Sequence, residues 1–166
     1  MTDDGGPMQF TSARDLFESA REASRDAERI QRQLAAMEGR ATSLGGGGLE
    51  PRVSSTPDPD RIGQAVVAMV DVESKLRERQ EEDYRLLDLA SAVLYGTDSD
   101  AGLWSLVGWR ADAIYHHYLG GLTWCEVGAL LGYSEQHVWR EAMAALDVCD
   151  GWGIQSIIDG HGAAQS

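Results

Sequence analysis

Residues 110–147, RADAIYHHYLGGLTWCEVGALLGYSEQHVWREAMAALD, decide the fold. Thr123 is followed three residues later by Glu126, the pattern of a capping box, in which the Thr hydroxyl takes the Glu amide and the Glu side chain reaches back to the Thr amide. Gly120 and Gly121 stop the helix that precedes it. After TWCEVGALL comes Gly132, suited to a left-handed turn position, and then Ser134, a good N-cap for a further helix. The spacing therefore predicts helix, turn, short helix, tight turn, helix: a helix-turn-helix. Leu119, Leu122, Val127, Leu130, Leu131, Val138, Met143 and Leu146 supply the apolar positions that hold the three helices together. The capping Ser134 and the start of the last helix, Glu135, Gln136, His137, Trp139 and Arg140, are left to meet a partner.

Upstream of this stretch the pattern is that of long helices. Ser12 with Asp15 is a helix start signal, and Ala13, Leu16, Ala20, Ala23, Ala27, Ile30, Leu34 and Met37 follow alternating steps of three and four, a heptad seam. Small residues in that seam bury little area, so the helix is not expected to stand alone. It spans residues 10–39, with Gly39 as its stop, and residues 40–59 read as a flexible linker because four consecutive glycines followed by Ser, Thr and Pro form no regular element. The glycines lack the following Lys-Ser/Thr and helix that a phosphate-cradling loop needs. Asp60 is the expected N-cap of a second long helix over residues 60–96, with Pro59 fixing the approach. Ile62, Val66, Met69, Leu76, Leu87, Ala90 and Leu94 share its heptad frame, while Glu73, Gln80 and Asp83 weaken the middle. At ~1.5 Å per residue this helix spans roughly 50 Å, so the first could fold back along it as an antiparallel coiled coil, or both could pair with a second copy. The run KLRERQEEDYR reads as a solvated face.

Gly96 and TDSD interrupt the pattern before residues 97–150, the small C-terminal domain. Trp104 and Trp109 are expected in its core, where the long helix packs onto it. Residues 1–9 and 151–166 read as mostly disordered, with a brief helical turn at Ile154 to Ile158. The fold class is all-α: a coiled-coil hairpin of long helices followed by a helix-turn-helix domain.

Composition narrows the function. A chain of 166 residues with 43% hydrophobic content suits one small domain with an appendage. Neither a membrane-length apolar run nor a secretion signal is present, so the expected location is the cytoplasm. Cys125 and Cys149 are too few for a disulfide scaffold, and the capped helix is expected to bury Cys125. The histidines and cysteines lack metal-site spacing, and no nucleophile stands in a sharp-turn context, so no metal, cofactor, small-molecule substrate or catalytic residue is expected. The net charge of -13 opposes nucleic acid at long range. Twelve of the 14 basic residues lie at or before Arg85, and from Arg110 to Asp150 two arginines face six acids, a net of -4.

The motif resembles the sigma-factor region-four type of helix-turn-helix, and more closely the version in small phage-encoded proteins. The resemblance rests on Tyr118, Gly121, Thr123, Trp124, Glu126, Val127, Gly132, Tyr133, Ser134, Val138 and Arg140. Upstream, RVSSTPDPDRIGQAVVAMVDVE is similar to a second signature of the same phage family, so residues 52–147 are covered by two motifs in order. That family is a domain of unknown function found in prophages, similar in its C-terminal half to the RinA and ArpU late-gene regulators. The resemblance implies a sigma-like or activating role on phage promoters, with Thr123, Trp124, Glu126, Gly132 and Tyr133 as structural positions of the motif. Two departures stand out: His117 replaces the usual basic residue before the Tyr, and Gly128 replaces the usual Ala.

The first expectation is thus a sequence-specific DNA-binding regulator. Gln136 would read adenine, Arg140 guanine or phosphate, and Ser134 with the helix N-terminus would hold a phosphate. Electrostatics predicts weak binding alone, on the order of 10⁻⁴ to 10⁻⁶ M, with RNA polymerase or a homodimer through the long helices supplying the rest. The second is an acidic protein-interaction adaptor, in which Trp139 packs against the long helix and His137 is simply exposed. A third is a small terminase-like packaging subunit, which would assemble as a ring.

Overall fold

The computed structural model describes residues 9–45, 59–97 and 101–160. Every regular element among them is helical: α1 (Ala13–Gly45), α2 (Pro59–Tyr95), α3 (Trp104–Val107), α4 (Trp109–Ile114) continuing into a π-helical turn (Tyr115–Leu119), α5 (Trp124–Leu131), α6 (Glu135–Trp152) and α7 (Ile154–Ile158). The chain divides into two compact units, one of residues up to Arg25 and from Tyr84 onward, the other Asp26–Asp83.

In the first unit, α1 begins as its sequence signal predicts: Ser12 Oγ accepts the Asp15 amide at 3.1 Å. A second cap comes from far along the chain. Asp150 Oδ1 accepts the Ala13 amide at 2.7 Å, placing a carboxylate from α6 on the positive end of α1. Leu16 and Phe17 of α1, Val93 and Leu94 of α2, Ile114 of α4 and Leu146 of α6 are fully buried in one core. Alanines 13, 20, 90, 111, 142 and 145 lie in the same core, and their small side chains allow the helices to approach closely. Leu103 closes this core, its amide donating to the Val93 carbonyl at 2.8 Å, and the Gly102 amide donates to the Ile157 carbonyl at 3.0 Å.

The second unit pairs the remainder of α1 with the first two thirds of α2. Ala27, Ile30 and Leu34 are buried, as the heptad seam predicts. Two polar contacts join the helices here: Asp26 meets Arg79 at 2.6 Å, and Gln31 accepts from Gln80 at 2.9 Å. Of the polar positions in the middle of α2, Gln80 is buried and hydrogen-bonded and Glu73 pairs with Arg77, whereas Asp83 Oδ2 is buried without a hydrogen-bond partner among the described residues. Asp26 also accepts from Arg29, and these guanidiniums, the Arg29 hydrogen bond foremost, hold its carboxyl below the usual range. Asp83 moves the other way, raised by burial and by the neighbouring Asp26.

Several boundaries differ from the sequence expectation. Gly39 does not stop α1, which continues to Gly45; a lone glycine inside a helix costs only about 1 kcal/mol, and this one lies in open space. Pro59 rather than Asp60 opens α2, because proline's fixed φ and missing amide suit the first helical position. Val66, expected in the seam, is exposed together with Val67, Val70 and Val72. Trp104, expected in the core, is 51% exposed, and Leu130, expected to hold the motif together, is 59% exposed. Cys125 is exposed, whereas Cys149 is a core thiol that burial pushes up to about 12. The segment 151–160 is ordered, with α6 running to Trp152 and Ile157 of α7 buried. The disorder expected for residues 1–8 and 161–166, and the linker expected over 46–58, lie outside the described residues.

Candidate nucleic-acid interface

The geometry of α4, α5 and α6 follows from a short series of local hydrogen bonds. The π-helical turn widens the end of α4 so that the Gly120 amide reaches the Tyr115 carbonyl at 2.9 Å and the Leu122 amide the His116 carbonyl at 3.0 Å. Thr123 then caps α5 with both bonds of the capping box: the Glu126 amide donates to Thr123 Oγ1 at 3.2 Å, and the Thr123 amide to Glu126 Oε2 at 2.8 Å. Gly132 adopts φ 82°, ψ 29°, the left-handed conformation its residue type allows. The Gly132 and Tyr133 amides both donate to the Gly128 carbonyl at 2.9 Å, which turns the chain tightly into α6. Ser134 caps α6, accepting the His137 amide at 3.2 Å. Ala113, Val127 and Val138, all fully buried, lock α4, α5 and α6 together.

Glycine at position 128 has a steric reason. A Cβ there would sit 2.7 Å from the Tyr133 carbonyl oxygen and 3.2 Å from the Glu135 nitrogen. The turn lies too close to α5 for any side chain at that position.

Helical spacing places Val138, Ala142, Ala145 and Cys149 of α6 inward and Gln136, Arg140 and Met143 on another face. Glu135, Gln136, Trp139 and Arg140 are all exposed, Trp139 by 49%. His137 is different. Its ring lies 6.0 Å from Trp109 and 5.2 Å from Tyr133, which themselves stack at 4.5 Å, so it is half-buried in an aromatic wedge rather than displayed. Trp139, half exposed, borders a groove that residues of α1 also line. Of the two arginines in this region, Arg110 pairs with Glu141 and lies 5.2 Å over the Trp109 ring, whereas Arg140 forms no ion pair among the described residues.

A second set of basic residues comes from α1. Arg14, Arg21 and Arg25 line a groove of about 470 Å³ with Glu18, Glu22, His117, Tyr118, Trp124, Trp139 and Met143. The arginines are spaced seven and four residues apart, one face of a helix, and that periodicity was present in the sequence beside the apolar seam. Only the fold shows which element the face adjoins. Arg14 Nη2 rests 3.1 Å from Met143 Sδ. His117 Nδ1 lies 2.7 Å from the Leu122 carbonyl, which fixes that nitrogen as the donor and leaves Nε2 to accept from Arg21 Nη1. Burial, and then the charge of Arg21, lower the His117 pKa to about 4, so the ring is neutral at physiological pH. It also stacks on Trp124 with centroids 3.8 Å apart. His117 thus receives a guanidinium from α1.

Among the described residues no group of His, Cys, Asp and Glu is placed to hold a metal ion, and no helix is long and apolar enough to cross a membrane. Comparisons with family models, with curated proteins and with solved structures found no match to this chain.

Proposed function

We propose that the chain is a phage- or prophage-type transcription regulator that binds promoter DNA through a sigma-region-four-like helix-turn-helix made by α5, the Gly132 turn and α6. On this reading α6 enters the major groove, Gln136 pairs with adenine, and Arg140 takes guanine or a phosphate. The paired portions of α1 and α2 act as a coiled-coil hairpin that carries the domain and meets RNA polymerase or a second copy in the bacterial cytoplasm. The single observation that supports this most is the exposed Arg140, without an ion pair among the described residues, beside Gln136 on a helix whose start is fixed by a capped, left-handed turn.

A gel shift with promoter DNA from a phage late region, with and without host polymerase, tests the proposal. A shifted complex that weakens in Arg140→Ala supports it. No complex under either condition, together with no effect of Arg140→Ala, sinks it.

The adaptor reading draws on a separate observation. Val66, Val67, Val70 and Val72 are exposed along the first half of α2, a surface suited to another helix. In that reading the chain captures polymerase or another phage protein while residues 134–141 cross-link to no DNA. A terminase-like subunit would instead run as a ring of many copies by mass.

A further inference from the structure

From the arginine groove we infer that α1 supplies a phosphate clamp for the same DNA: Arg14, Arg21 and Arg25 hold backbone phosphates on the strand flanking the base edges met by α6. This inference rests on the DNA-binding reading above and adds to it a set of contacts outside the motif.

Four observations carry it. First, none of the three guanidiniums lies within ion-pair distance of a carboxylate among the described residues, although acids outnumber bases 27 to 14 in the chain. Elsewhere in the chain Arg29, Arg77, Arg79 and Arg110 do pair with carboxylates. Second, the groove continues onto the face of α6. A neighbouring depression is lined by Trp124, Ser134, Glu135, Gln136 and Trp139, and the two share both tryptophans. A duplex placed on Gln136 and Arg140 therefore has its flanking backbone beside α1.

Third, Arg21 is held in place before any ligand arrives. His117 Nε2 accepts from its Nη1, while its buried Nε has no partner, so a donor is already desolvated and unused. The guanidinium is thereby pre-oriented by its enclosed side, which reduces what must be ordered when its outer donors meet a phosphate oxygen. Fourth, the walls combine guanidinium with exposed aromatic surface, the pairing that packs against sugar and holds phosphate. Glu18 and Glu22 stand in the same groove. They restrain attraction to any polyanion, so phosphate is retained only where α6 is also engaged.

The clamp accounts for a discrepancy of charge. Residues 110–150 carry a net -4, too acidic for a DNA-binding surface, yet three arginines with no ion pair among the described residues adjoin them from the far end of the sequence.

The test is fluorescence anisotropy with the full chain, a preferred duplex and an unrelated duplex over a range of salt. An Arg14→Ala/Arg25→Ala double variant is expected to lose affinity equally for both duplexes, and its slope of log affinity against log salt should fall by about 1.8, or about 0.9 for each phosphate contact. Arg14→Lys/Arg25→Lys should retain most of the slope, which separates charge from folding. Glu18→Gln/Glu22→Gln should bind both duplexes more tightly. Wild-type slope and affinity in the alanine double variant, with binding still lost in Arg140→Ala, overturn the clamp and leave the DNA reading intact. Loss of polymerase capture without any change in DNA binding overturns it in favour of a protein partner. Absence of duplex binding by the wild-type chain, alone or with polymerase, removes the clamp and the DNA reading together.

Discussion

Replacing Gly128 by alanine probes the geometry that aims α6. The added Cβ would meet three backbone atoms of the turn: the Tyr133 oxygen at 2.7 Å, the Glu135 nitrogen at 3.2 Å and the Ser134 carbonyl carbon at 3.3 Å. Because none belongs to a side chain, no rotamer change relieves the contact, and the turn and the start of α6 must move. Alanine's helix propensity returns about 1 kcal/mol, while forcing an extra methyl into a packed site costs about 1–3 kcal/mol. Contact with backbone places this case at the upper end, leaving a net loss of about 1–2 kcal/mol. For a chain of this size that lowers Tm by roughly 2–8 °C. Gly63→Ala is the matched control, since its Cβ meets nothing within 4 Å and its position in α2 is exposed. The same chemical change there should raise stability by up to about 1 kcal/mol. Thermal unfolding by circular dichroism measures both, with the near-UV signal of the tryptophans reporting the site. A Gly128→Ala protein as stable as wild type would refute the close approach on which the placement of α6 depends.

Other consequences are as direct. Thr123→Ala removes the hydroxyl that accepts the Glu126 amide, while the residue-123 amide can still donate to Glu126, and should cost about 1 kcal/mol, read as a shift in the urea midpoint with an unchanged slope. His117 has a pKa of about 4 in the fold against 6.5 when unperturbed, so its contribution to stability is fully present above about pH 6.5 and is lost as pH falls toward 4, where the unfolded chain takes up the proton first. Denaturation midpoints across that window should fall less steeply in His117→Gln. A thiol reagent should modify Cys125 rapidly in the native protein and Cys149 only after unfolding, because one is exposed and the other is a buried thiol raised to about 12. Equal native reactivity of the two would contradict the core packing around Cys149.

The parts of the fold that were legible in the sequence are those fixed by local chemistry. Thr123 with Glu126, Gly132 and Ser134 each act through neighbours within a few residues, and each bond forms where the spacing placed it. The apolar seam of α1 was equally plain, from Ala13 to Leu34. What sequence could not show is which distant group meets a local one. Asp150 capping α1, His117 receiving Arg21 and Gln80 bonding Gln31 are all pairings across long separations in the chain. The same limit misjudged Trp104, Leu130 and Cys125, whose burial depends on a neighbouring element rather than on residue type. For the candidate site, the face bearing Gln136 and Arg140 was readable from helical spacing. The retreat of His137 into the Trp109–Tyr133 stack was not, nor was the arrival of the α1 arginines, whose shared face gave no indication of the element beside it.

The measurement closest to the central claim is selection of bound sequences from a random duplex pool by the full chain, with and without polymerase, followed by sequencing. The account predicts one enriched motif, relaxed at a single position in Gln136→Ala and at another in Arg140→Ala. Recovery of an unenriched pool by the folded protein under both conditions would contradict it.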